Sequence, residues 1–241
     1  MKKLLAVLVL VTILLPVSLF ARETVILDMV PKAYSLEYGT IDFEFETHDV
    51  LTDWKASDNG IDIGLGVYPG LEIGAVVYKP KYDKYGYALD AKYSIALDEE
   101  QNIAFGVYNV TVGEKAVPYL VYGKSLDFDK FDAGITAGVN REDSEYRFLL
   151  ALECEYNDIY ADFAVNLGNG AQSTIEVGYN LDKITPYIGM HNYSKAAYTN
   201  GYIGAVYQVS DPFSVEARFI FPNYGKSSAF INLTYLTNIF N

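Results

Sequence analysis

Residues 146–168 read "YRFLLALECEYNDIYADFAVNLG", and the period of this stretch decides the fold. Composition favours a helix, because Leu, Ala and Glu are strong helix formers and neither Pro nor Gly interrupts the run before Gly168. Parity favours a strand. Tyr146, Phe148, Leu150, Leu152, Cys154 and Tyr156 share one parity, with Arg147, Ala151, Glu153 and Glu155 between them. After Asn157-Asp158 the alternation restarts, setting Ile159, Ala161, Phe163, Val165 and Leu167 against Asp162 and Asn166. A helix would scatter these charges around its circumference, whereas a strand gathers them on one face. The stretch therefore reads as a hairpin turning at Asn157-Asp158.

The same period runs outward in both directions. "GTIDFEFETH" sets Ile41, Phe43 and Phe45 against Asp42, Glu44 and Glu46, and "GIDIGLGVY" sets Ile61, Ile63, Leu65 and Val67 against Asp62, Gly64 and Gly66. "YGYALDAKYSIAL", "FDAGITAGVN", "STIEVGYNL" and "FSVEARFIF" repeat it. Segment counting predicts about fourteen strands, with twelve as the lower bound. The expected spans are 36–47, 59–68, 71–79, 85–97, 101–112, 116–126, 130–140, 145–156, 158–168, 173–181, 184–193, 201–210, 213–221 and 228–239. Asn109, Pro118 and Pro186 interrupt the fifth, sixth and eleventh segments respectively and make them the weakest. No linker or low-complexity tract divides the chain.

Connections after even-numbered segments are tight: "PG" at 69–70, "DEE" at 98–100, "DFD" at 127–129, almost nothing at 157, "DK" at 182–183 and "DP" at 211–212. Those after odd-numbered segments tend to be longer, as in "DVLTDWKASD", "SKAAYTN" and "PNYGKSS". Outer-membrane barrels sort their loops this way, with short periplasmic turns and longer external loops. An even strand count also brings both ends of the barrel to the tight-turn side.

The chain begins with Lys2-Lys3, then "LLAVLVLVTILLPVSLF" and Ala21, a charged n-region, apolar h-region and small residue that read as a secretory signal over residues 1–21. An uncleaved anchor is the alternative, since the run nearly reaches spanning length. Residues 22–241 read as a single barrel domain. Loss of Lys2 and Lys3 takes the formal charge from −13 to −15, which excludes nucleic-acid binding by phosphate neutralisation. One cysteine, Cys154, excludes an internal disulfide.

Parity alone leaves a soluble barrel or sandwich open beside a membrane barrel, which inverts it by facing lipid with its apolar side. Three observations favour the membrane. The polar face is rich in small residues, including many of the 19 glycines, rather than in a Lys/Glu mix. Among 22 tyrosines, Tyr85, Tyr87, Tyr146, Tyr156 and Tyr179 lie towards strand ends on the apolar face, as an interfacial girdle would. The loops are sorted by length. The expected fold class is thus all-β, a closed antiparallel up-and-down transmembrane β-barrel.

Signal, strands of about ten residues, Tyr/Gly richness and acidic balance together resemble bacterial outer-membrane β-barrel proteins of the porin-like kind, across the mature chain. "PKAYSLEYGTIDFEF" followed by "GIDIGLGVYPGLEIGAVVY" also resembles, over a short stretch, the first hairpins of some polysaccharide-export-associated barrels. The resemblance implies an outer-membrane location and a channel. Such barrels commonly end on an aromatic residue, whereas here Phe240 precedes Asn241.

Chemistry-bearing residues are sparse. His48 neighbours Thr47 and Asp49, and His191 stands near Asn192 and Ser194, a grouping that could activate a hydroxyl. Residues this close along a strand end are more often incidental polar loop residues, so no enzyme is expected. No spacing matches a metal-ligand set, "DFDKFD" at 127–132 lacks the Gly and Glu of a calcium loop, and no cofactor is expected.

Carboxylates on the polar parity carry the stronger signal. Asp42, Glu44, Glu46, Asp62, Asp90, Glu153, Glu155, Asp162, Glu176 and Glu216 are the expected pore-lining acids, together with Glu72 and Asp132. Lys92, Lys124, Arg147 and Arg218 are expected to oppose them. The acids then line either a plugged, ion-paired lumen or a water-filled channel that favours cations. The expected function is a passive, cation-preferring channel for small hydrophilic solutes. A non-conducting structural or assembly barrel is the main rival, and a lipid-modifying enzyme a distant one. Expected partners are outer-membrane lipid and small hydrophilic or cationic solutes; a homo-oligomer is compatible with the pattern.

Overall fold

The computed structural model describes residues 30–48, 59–79, 86–110, 116–128, 130–142, 144–168, 170–193, 198–223 and 227–239. The signal segment, Asp49, Tyr85, Ser194, Phe240 and Asn241 lie outside the described residues. Fourteen strands alternate as the parity requires. The first five are β1 (Thr40–His48), β2 (Asn59–Tyr68), β3 (Leu71–Lys79), β4 (Gly86–Ala96) and β5 (Gln101–Val110). Then come β6 (Val117–Phe128), β7 (Phe131–Glu142), β8 (Glu145–Tyr156), β9 (Ile159–Leu167) and β10 (Gln172–Tyr179). The last are β11 (Ile184–Tyr193), β12 (Tyr198–Ser210), β13 (Phe213–Pro222) and β14 (Ser228–Asn238).

Each strand pairs antiparallel with its sequence neighbours, and β14 pairs with β1 to close the barrel. Closure leaves no open edge and satisfies every ladder inside the sheet. The hairpin that decides the fold is β8–β9, in register from Phe148 opposite Leu167 to Tyr156 opposite Ile159. Asn157 turns it at φ 53°, a left-handed conformation that Asn tolerates better than most residues. Thr40 faces Asn238, so both barrel ends lie on the tight-turn side. Pro118 and Pro186 fall within the first three residues of β6 and β11, where a missing N–H costs little.

Burial is inverted relative to a soluble protein. Glu176 is 1% and Arg218 4% exposed, whereas Phe148 is 65% and Ile188 63% exposed. Polar side chains inside and aliphatic ones outside are what a hydrocarbon surround demands. The soluble alternative is thereby ruled out. Tyr87, Tyr146, Tyr156 and Tyr179 stand exposed near strand ends, joined by Tyr68 and Phe128, as an aromatic belt requires.

Three local expectations are corrected. The first strand begins at Thr40 rather than 36, because the chain turns first: the Thr40 N–H donates to the Glu37 carbonyl at 2.9 Å, with Gly39 at φ 84°. Residues before that turn run inside the barrel. Asn109 adopts φ 62° at a register shift between β4 and β5, so it marks a β-bulge. Lys124 lies opposite Gln101 and Ile135, on the outward parity with Leu120 and Tyr122 rather than on the inward parity of the acids, although it still borders the cavity.

Candidate functional site

Inward-facing side chains divide the lumen into a packed half and an open half. The packed half is built by β9–β14 around tyrosines that alternation alone had assigned to no role. Tyr160 lies opposite Gly178, Tyr202 opposite Gly189 and Tyr187 opposite Gly204. A Cβ on any of these glycines would enter the facing ring. These inward glycines are therefore sockets for aromatic rings, as cross-strand Gly–aromatic pairs provide, rather than clearance for solutes. The signal was present in the sequence as Tyr and Gly sharing the polar parity.

Arg218 fills the centre of this half. Its guanidinium stands 5.6 Å from the Tyr187 ring centroid, 5.0 Å from Tyr202 and 4.9 Å from Phe230. It pairs with Glu216 at 2.5 Å and its Nε donates to the Tyr187 hydroxyl at 3.0 Å, while Tyr187 donates to Glu216. Tyr160 donates to Glu176 at 2.7 Å. Burying charges is tolerated only when they are paired and hydrogen-bonded. Glu176, Glu216 and Arg218, expected to line water, instead belong to this packed network.

The open half is a cavity of about 1470 Å³ that reaches the tight-turn mouth and climbs the wall of β1–β5 as far as Glu44, Asp62 and Ala88. Asp42, Glu44, Asp62, Asp90, Lys92, Glu153, Glu155 and Asp162 line it, and so do Glu72 and Asp132. Glu46 and Arg147 do not; Arg147 is spent on Glu142 at 2.5 Å. Asp90 accepts the Asn109 N–H at 2.9 Å and so holds the β5 bulge. Lys92 pairs with Glu72 at 2.9 Å.

Strand order sets the carboxylates on two facing walls. Glu44 lies opposite Asp62 across β1–β2, while Glu153 lies opposite Asp162 and Asp132 opposite Glu155 across β7–β9. Seven steps separate β1 from β8 in either direction around the fourteen-strand ring, so the two acidic groups face each other across the lumen. Like charges directly opposite one another destabilise a sheet. Fourteen acidic residues line the cavity against three lysines, one of which, Lys124, has the outward parity. The lumen field is therefore negative.

The described residues bring together neither of the histidine groupings, whose members Asp49 and Ser194 lie outside them. His191 points inward, 3.0 Å from the Thr174 hydroxyl, whereas the neighbouring Asn192 has the opposite parity, so the expected grouping is not assembled. His48 ends β1. Among the described residues no group of three or more His, Cys, Asp or Glu side chains could hold a metal ion.

No protein-family model matches the chain, and no curated protein matches it. Solved structures do. The Acinetobacter baumannii outer membrane protein Omp33 is similar with a TM-score of 0.59 at 11% identity, covering 83% of this chain and 99% of that one. Pseudomonas putida OprB is similar with a TM-score of 0.54 at 11% identity, covering 82% and 91%. A mutant of the Rh. blastica porin gives 0.50 at 11% identity, over 83% and 98%. The fold is that of a bacterial outer-membrane porin barrel. An apolar exterior on a barrel of this fold is the surface such proteins present to outer-membrane lipid.

Proposed function

We propose that this protein is a passive outer-membrane channel for small hydrophilic solutes, with a preference for cations. The observation that carries the reading is the cavity's charge: fourteen acidic residues and three lysines around one water-accessible space. Rings and arcs of Asp and Glu concentrate cations in a pore because low-dielectric walls focus their field. An ion within a Debye length of either arc, about 8 Å at physiological salt, feels its field. Outer-membrane lipid surrounds the belt, and the solutes are the other partner.

Liposome swelling tests the reading. In vesicles carrying the protein, small cationic and zwitterionic solutes should enter faster than anionic solutes of equal size. Equal entry of all three would remove the cation preference, and no swelling would remove the channel. A second reading, a structural barrel that does not conduct, draws support from the packed β9–β14 half of the lumen.

A further inference from the structure

Residues 30–38 precede the first strand; residues 30–36 lie within the lumen, and Glu37 and Tyr38 are exposed where the chain turns into β1. Val30 and Ala33 are 0% exposed, packed against Ala104, Val121, Leu149 and Ala151 of the barrel wall. The Leu36 N–H donates to Glu72 Oε2 at 2.8 Å. Below them the chain reverses into β1 at Gly39, whose N–H donates to the Gly66 carbonyl at 2.8 Å and whose carbonyl accepts from Ile239 at 2.9 Å. Val30, Ala33 and Leu36 recur at every third residue beside Pro31. The segment is neither helix nor strand, with bends at Val30 and at Ala33-Tyr34, so neither a helix nor a strand pattern reveals it.

The barrel wall is shaped to receive this segment. A Cβ on Gly66 would run into the Glu37 carbonyl oxygen, one on Gly123 would come 2.6 Å from the Ala33 Cβ, and one on Gly64 would come 3.1 Å from Leu36 Cδ1. None of the three glycines has a positive φ, so space rather than backbone conformation requires them. On its other side the segment presents Pro31, Lys32, Tyr34, Ser35 and Glu37 to the cavity. One wall of the acidic passage is thus made by the chain's own N-terminal segment.

We propose that residues 30–38 are the constriction of the channel, seated on Gly64, Gly66 and Gly123, and that they set its conductance and the size of solute it passes. The inference rests on the channel reading above. Lys32 places a positive charge inside the acidic cavity on the same segment, so the constriction also tempers the cation preference.

Thiol labelling and single-channel recording test this together. In a Cys154→Ala background, which removes the single native cysteine, Ala33→Cys should resist a membrane-impermeant maleimide in the folded barrel. Glu37→Cys, at an exposed position, should react. Adding Gly66→Val and Gly123→Leu should displace the segment, expose the thiol at position 33, raise single-channel conductance and admit larger solutes. Ala33→Arg, which changes the segment and leaves the wall intact, should raise conductance likewise if the wall variants fail to fold. Rapid labelling at position 33 in the parent, or unchanged conductance after displacement from a conducting parent, would overturn the constriction while leaving the channel. A displaced, folded barrel that passes no current would overturn both.

Discussion

At the residue scale, the decisive contrast is between carboxylates facing water and carboxylates facing partners. Glu216 and Arg218 form a buried pair 2.5 Å apart with side-chain exposures of 8% and 3%. Removing one partner of such a pair leaves the other charge uncompensated. Arg218→Ala should therefore destabilise the barrel by about 3–5 kcal/mol, read as a lower urea midpoint in detergent. Arg218→Met combined with Glu216→Leu should recover much of that loss, because paired apolar replacement removes the stranded charge. A single variant as stable as the parent would contradict the packed-half account. Sequence parity placed Arg218, Glu216 and Glu176 on the inner face correctly. It could not separate them from Asp42 or Glu153, because that distinction depends on which tyrosines reach them from neighbouring strands.

At the scale of the strand, period two made almost every element legible. The β8–β9 hairpin was readable although its composition favours a helix, because burial on one face outweighs propensity. The bounds of β2, β3, β8 and β11 coincide with those expected from alternation. Alternation failed where the chain leaves the sheet: residues 36–39 continue the apolar count but turn at Gly39 into the lumen. It also put Lys124 on the inward parity, whereas the strand register gives it the outward one. The parity of β8 makes a direct test. Leu150 lies opposite Ala137 and Val165 in mid-strand, facing outward, so Leu150→Arg should block insertion or cost roughly 2–4 kcal/mol near the bilayer midplane. Glu153→Gln, on the cavity side, should insert and fold normally. Tolerance at 150 with failure at 153 would mean that the faces are reversed.

For the whole molecule, closure and charge are the properties that matter. A barrel with β14 paired to β1 has no frayed edge for detergent to open, so unboiled protein should migrate differently from boiled protein on a denaturing gel. Identical mobility would argue against the closed ring. The shape of the open lumen was beyond the sequence, because it depends on aromatic side chains filling one half and on residues 30–38 occupying part of the other. The acidic excess was legible, since acids outnumber bases on the inward parity of β1–β3 and β6–β10. The most direct test of the central claim is the reversal potential of the protein in a planar bilayer under a potassium chloride gradient. The account predicts a potential of cation-selective sign that shrinks as salt shortens the Debye length from about 10 Å at 0.1 M to about 3 Å at 1 M. It should fall towards zero when Asp42, Asp62, Glu153 and Asp162 are replaced by Asn or Gln. A conducting, folded barrel with an anion-selective potential, or one indifferent to those four substitutions, would contradict it.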